Sequence, residues 1–399
     1  MRALTTSLIN EIGYGKVAAR IEGGGCPVVV SGLDGIHRAH AAATLRSLTG
    51  RPVVMICADE TEMRRAAADL EAFTSEQAVL LSGREFTFYN AEGVSRQLEQ
   101  RRLRTLYQMR CGIAPLVVTT IDGLLMRTMP GALMESAVLE IKTGHTYDLT
   151  AVVDTLLKSG YRRFEQVEGS GQFALRGGIL DFFSPSDDEP FRCEFFGDEV
   201  DSISSFDISS QRRSSPVESA LILPSTETLA TLYNGDGGSG EEGLKNALAD
   251  LLRTLERRKS GNAELRKNIA HDIERLENRR TFPAADKYME LIYPMSSALD
   301  YIGDWALVFM SDPARIAERS KNFLWQLGED CRTLLEAGII DSSLVRFALS
   351  WEEFCSKIEN FPVVMADSFT GSKYPLRPRD IINISAKQLP SYGGSMETA

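Results

Sequence analysis

PVVVSGLDGIHRAHAAATLRSLTGRPVVMIC, residues 27–57, reads as a strand, a glycine-bearing turn, a helix and a second strand. The runs from Pro27 to Ser31 and from Val53 to Cys57 are continuously apolar rather than alternating. A strand of that kind is buried on both faces, as in a parallel sheet covered by helices. The same pattern extends outward. A helix is expected from Ile36 to Leu48 and another from Glu60 to Phe73, with further strands from Ala78 to Leu81 and Leu116 to Thr120. It returns late in the chain, with apolar strands from Trp305 to Met310, Pro362 to Ala366 and Ile381 to Ile384. The expected architecture is therefore α/β, with one parallel-sheet domain built from two separated pieces.

Between those pieces the pattern changes. Met129-Pro130-Gly131 breaks the α/β rhythm, a strand is expected from Ala137 to Ile141, and a helix from Leu149 to Ser159 ends at Gly160. Close-set strands follow in GQFALRGGILDFF (171–183) and FRCEFFGDEV (191–200). Phe191, Cys193 and Phe195 share one face, and Arg192, Glu194 and Phe196 the other. That period of two suits an antiparallel sheet with one covered face. Residues 1–130 and 214–399 are thus expected to share one core, with 131–213 inserted as a small α+β domain. The segment Asn234 to Gly240 reads as a flexible break. After it, Leu244, Ala247, Leu248, Leu251, Leu252 and Leu255, then Leu265, Ile269, Ile273 and Leu276, recur at helical spacing. They predict a helical hairpin at about 242–280.

The chain has 399 residues, 43% of them hydrophobic, and a net charge of -11 from 55 acidic and 44 basic residues. Such a balance gives no global attraction to nucleic acid, and any contact with it would need a local basic patch. Six scattered cysteines without a C-x-x-C, and four histidines without H-E-x-x-H, do not make a zinc motif. Cys57, inside an apolar strand, suits a buried reduced thiol. The N-terminus lacks the apolar core of a signal peptide, and no run approaches the roughly 18 apolar residues of a membrane span. A soluble cytoplasmic protein is expected.

The turn after the first strand is where a nucleotide-binding P-loop would lie. That motif, G-x-x-x-x-G-K-[ST], needs glycines that let main-chain N–H groups reach phosphates, a lysine for the β/γ-phosphates and a hydroxyl for magnesium. Here Gly32 and Gly35 remain, Asp34 brings a negative charge, and Arg38 stands in the helix; the lysine and hydroxyl are missing. Arginine does not reproduce the compact charge of lysine. The position reads as a degenerate P-loop. Asp122, in LVVTTIDG (116–123), imitates the acid after a Walker B strand but is followed by glycine, and is expected to serve as a helix cap or turn residue.

GQFALRGGILDFFSP, PFRCEFFGDEVDSISSFD and SSQRR closely resemble the bacterial transcription-repair-coupling factors (Mfd), in their N-terminal module, which is itself similar to the excision-repair protein UvrB. The degenerate P-loop, PLVVTTIDGLLMR, LILPSTE and the final LPSYGGSMETA support the match. It is specific over residues 160–224 and looser over 240–350. The resemblance implies a UvrB-like domain in two pieces and an inserted domain that binds UvrA. The longer family proteins continue into an RNA-polymerase-binding domain and an ATP- and magnesium-dependent translocase acting on double-stranded DNA. By resemblance this chain is an N-terminal fragment that recruits without a motor, hence not an enzyme and without a cofactor of its own. UvrB also grips damaged DNA with an aromatic hairpin; the comparable region, about Arg84 to Pro115, is read as offering Tyr89 and Tyr107 without an aromatic cluster.

The resemblance further implies UvrA contacts at Arg162, Arg163 and Arg176. Their guanidinium forks suit directed bonds to carboxylates. Arg176 has an alternative, an internal pair with Asp181 or Glu194 across the sheet. Phe182 and Phe183 point to opposite faces, so on a singly covered sheet one at most is core and the other an interface anchor. Phe164 and Phe196 are weaker candidates, while Phe191, Phe195 and Phe206 read as core. Two other readings stay open: a UvrB-like DNA-dependent ATPase with an unusual phosphate loop, and a clamp that packs against a motor.

Overall fold

The structure is a computed structural model that describes residues 12–89, 96–257, 263–278, 282, 284–371 and 373–384. The LPSYGGSMETA segment and the turn at Gly261-Asn262 lie outside the described residues. Strands β1 (Val28–Ser31), β2 (Val53–Cys57), β3 (Ala78–Leu81) and β4 (Leu116–Thr120) come from the first part of the chain. A second group follows: β5 (Leu139–Lys142), β6 (Arg162–Arg163), β7 (Gln172–Arg176), β8 (Ile179–Phe182), β9 (Phe191–Phe196), β10 (Glu199–Phe206), β11 (Arg213–Pro216) and β12 (Ser219–Ile222). Then come the short β13 (Asn234–Gly235) and β14 (Gly238–Ser239), and finally β15 (Leu307–Ser311), β16 (Val363–Asp367) and β17 (Asp380–Asn383).

The large sheet has seven strands in the order β17-β1-β16-β15-β2-β4-β3, and every pairing is parallel. Alternate residues divide between two cores. Val28, Val30, Val53, Met55, Phe309 and Val364 face one, beneath the helices Ile12–Glu22, Ile36–Thr49 and Glu60–Thr74. Val29, Val54, Ile56, Val308, Met310 and Met365 face the other, with the helices Gln97–Arg110, Gly240–Arg257 and Ala263–Glu277. Double coverage explains why these strands read as unbroken apolar runs. Leu244, Leu248, Leu255, Leu265, Ile269 and Leu276 are the buried stripe of the helical hairpin. Among the described residues no helix is long and apolar enough to cross a membrane.

The inserted unit is a six-stranded sheet, β11-β10-β9-β8-β7-β6, beside a two-stranded pair of β5 with β12. Its pairs are antiparallel except β6 with β7. The β5–β12 pairing (Leu139↔Ile222 to Lys142↔Ser219) carries the unit past residue 213, the boundary expected from the strand pattern. The chain therefore enters and leaves the unit side by side. Phe173, Leu180, Phe182, Phe191, Cys193, Val200 and Ile203 form its core with Val152 and Leu156 of the helix Leu149–Lys158. The second face is covered in part, by Val167 against Ala174, Phe183 and Phe206.

Two expectations are corrected. The segment Asn234 to Gly240 is not a flexible break: β13 and β14 pair as a tight hairpin on the start of the helix Gly240–Arg257. A Cβ on Gly237 would lie 2.4 Å from the Gly243 carbonyl oxygen, so glycine serves close packing there. Nor does the region from Arg84 lack an aromatic cluster. Phe86 and Phe88 meet Phe347 at 5.0 and 5.2 Å between ring centres. These rings pack with Leu327, Cys331 and Ile340, so they belong to a core and not to an exposed gripping hairpin.

Candidate functional site

The degenerate P-loop lies at the carboxyl ends of the parallel strands, where ligands bind in folds of this class. Two of its parts, Gly32 and Arg38, are committed internally. Gly32 has φ +89°, and a Cβ there would approach the Ile384 carbonyl oxygen to 2.1 Å. The glycine thus admits the chain leaving β17. Asp34 is exposed, and Gly35 stands at the N-terminus of the helix Ile36–Thr49. The His37 and Arg38 N–H groups donate to the Asp34 and Gly35 carbonyls (2.9 and 3.2 Å). Arg38 is buried. Its Nη2 donates to Ser368 Oγ (3.0 Å) and its Nε to the Leu33 carbonyl (3.2 Å). Glu62 and Asp312 hold carboxylate oxygens 3.7 and 3.6 Å from it. Asp122 sits in the first turn of the helix Ile121–Leu125, whose N-cap is Thr120, and pairs with Arg319 at 3.3 Å.

The small sheet offers a different arrangement. Asp181 on β8 is buried between two arginines. Arg192 Nε and Nη2 donate to it at 2.7 and 2.9 Å, and Arg176 Nη2 donates from the other side. The Asp181 carboxylate holds the Arg192 guanidinium above its ordinary pKa through this hydrogen bond. Arg192 also lies over the Phe206 ring, 4.8 Å from its centre. Of the two acids open to Arg176, Asp181 is its partner, while Glu194 pairs with Arg213. Yet the Arg176 side chain stays 50% exposed. Arg162 and Arg163 on β6 are exposed, and no carboxylate of the described residues pairs with either.

Strand alternation sends these neighbours to different places. Arg163, Phe164, Leu175 and Arg176 line a shallow groove on one side. Arg162, Phe164 and Phe183 line a larger cleft facing Arg101 of the helix Gln97–Arg110. Phe164, 44% exposed, borders both hollows. Phe182 is corrected: it is 0% exposed and packs on Phe191 at 5.7 Å, so it is core and not an anchor. Phe183 is half-buried on the opposite face, against Val167, Ala174 and Phe206. Phe191 and Phe206 are core, and Phe195 packs at the core's edge. Sequence reading missed Arg192 as the second partner of Asp181. The period of two already placed it on the face shared with Glu194 and Phe196, but the acid facing it follows only from the β8–β9 register, Asp181↔Arg192.

The unit carrying these arginines matches the model of the UvrB interaction domain over residues 139–227, from the start of β5 to just beyond β12. The chain is 28% identical over 370 residues to the transcription-repair-coupling factor of Bacillus subtilis, covering 92% of this chain and 31% of that protein. It is 28% identical over 359 residues to that of Myxococcus xanthus, covering 84% and 28%. The protein of the same name from Staphylococcus haemolyticus is 25% identical over 312 residues. The chain spans about a third or less of the length of these relatives, at most 31%. Over most of its length the chain is thus similar to the transcription-repair-coupling factors, and its small-sheet unit is similar to the UvrB interaction domain.

Proposed function

We propose that this chain is a recruitment module of transcription-coupled nucleotide excision repair, and that its small-sheet domain docks UvrA to bring the excision machinery to stalled RNA polymerase. The observation that carries this reading is the exposed β6 edge. Arg162, Arg163 and Phe164 stand together there, and neither arginine has a carboxylate partner among the described residues. Uncommitted guanidinium groups beside an exposed ring are the composition of an interface anchor. The module works without nucleotide or metal in this role, in the cytoplasm. The competing ATPase reading is disfavoured by Arg38, whose guanidinium is turned onto Ser368 and the Glu62 and Asp312 carboxylates.

Titration calorimetry of the chain with purified UvrA tests the docking. Arg163→Ala and Arg162→Ala are each expected to weaken binding by about 1–3 kcal/mol, the range of interface anchors. A double variant that remains folded and binds like wild type would overturn the assignment. Saturable binding of magnesium-ATP would revive the enzyme reading.

A further inference from the structure

Building on that docking reading, we propose that the partner adds a strand to the open edge of the small sheet at β6, as an extended acidic segment. β6 is the terminal strand of its sheet. The Arg162 N–H donates to the Gly171 carbonyl at 3.0 Å, and the Phe164 N–H to the Phe173 carbonyl at 2.8 Å. Both bonds lie on the β7 side. Main-chain groups of successive residues in a strand point to opposite sides, so the Arg163 N–H and carbonyl between them face outward. No hydrogen bond from another element of the described residues reaches them. An edge of this kind is a template for a further strand.

The side chains say what that strand carries. Arg162 lines the cleft toward the helix Gln97–Arg110, where Arg101 and Arg104 stand with Glu168 and Asp188, while Arg163 lines the groove in which it and Arg176 outnumber Glu165. An added strand also alternates its side chains between the two faces. Carboxylates at successive positions would therefore meet Arg162 on one face and Arg163 on the other. Phe164 lines both hollows and offers an apolar contact. The other edge of the sheet is blunted: β11 ends on Pro216, which has no N–H, and Arg213 is committed to Glu194. Arginines on an edge can also serve to repel strand addition. In that case a bound partner would leave the Arg163 main chain in water.

Amide hydrogen exchange on the whole chain, read residue by residue with and without UvrA, separates the two. In the free chain the Arg162 and Phe164 amides are expected to be protected and the Arg163 amide to exchange fast. In the complex the Arg163 amide is expected to slow by about tenfold or more, the protection of a closed hydrogen bond. A complex that forms while Arg163 exchanges as before overturns the strand addition and leaves side-chain docking standing. No complex at all overturns the docking reading and this proposal with it. A pair of variants gives an independent readout. Arg163→Ala removes the guanidinium and keeps the N–H, whereas Arg163→Pro removes both without touching a β6–β7 bond. The proline variant is expected to bind about tenfold more weakly than the alanine variant, and equal affinities would count against main-chain pairing.

Discussion

Asp181 shows how one buried carboxylate organises an exposed face. It accepts from Arg192, whose side chain is 15% exposed, and from Arg176, which is 50% exposed. The two pairs are unequal. A half-exposed ion pair contributes about 0–1 kcal/mol, because water screens it and the long side chain loses freedom. Arg176→Ala is therefore expected to leave urea unfolding nearly unchanged, which makes it a clean probe of docking. Asp181→Ala strands the more enclosed Arg192 and is expected to cost about 2–4 kcal/mol. Equal unfolding midpoints for the two variants would mean that the carboxylate is not the organising group. Phe182→Ala is a control of another kind: emptying that core position costs about 3–5 kcal/mol and reports on folding alone.

Among the elements, the strand–turn–helix at β1 is the one whose meaning changed most between sequence and structure. Its glycines look like the residues of a phosphate cradle. Gly32 is instead required by contact, since a Cβ added there would collide with the main chain after β17, while a Cβ on Gly35 would meet nothing within 4 Å. Gly32→Ala is expected to destabilise by at least about 2 kcal/mol, through a left-handed φ and a main-chain clash together. Gly35→Ala, with φ strain alone, should cost about 1–2 kcal/mol. Thermal unfolding of the two variants makes the comparison. A larger loss at Gly35 would show that turn conformation, and not the packing of β17, governs this element.

At the scale of the molecule, the small sheet is tied to the parallel-sheet body by buried ions. Glu227, just past β12, is fully buried, 3.1 Å from Arg102 of the helix Gln97–Arg110 and 3.6 Å from Arg84. Burial opposes the charge on Arg84, but Asp286, Glu227 and Glu99 outweigh it and raise its pKa. Arg104 adds a bond to Asp188 at 2.8 Å at the surface. Glu227→Gln leaves two buried guanidinium groups short of a carboxylate and is expected to cost about 3–5 kcal/mol. Urea unfolding followed separately on each unit measures it. A loss below about 1 kcal/mol would mean that packing, not this network, joins the two units.

Much of this was legible in the residue order, because it depends on local periodicity. Continuous valines at β1 and β2 announced double coverage, and leucines at helical spacing announced the hairpin. Arg162 and Arg163 came instead from the family resemblance, and the structure places both, exposed, on β6. Other features depend on distant partners and were not legible. Whether Arg176 would take Asp181 or Glu194, and which of Phe182 and Phe183 would be core, turned on strand register. Arg38 was quenched by Glu62, Asp312 and Ser368, residues that only the assembled sheet brings to one point. The sequence by itself determined the α/β class, the inserted sheet and the loss of the phosphate-binding lysine, since each is written in neighbouring side chains. Tertiary structure alone decided which arginines are spent inside and which remain open at β6, since an ion pair is settled by proximity in space and not by distance along the chain.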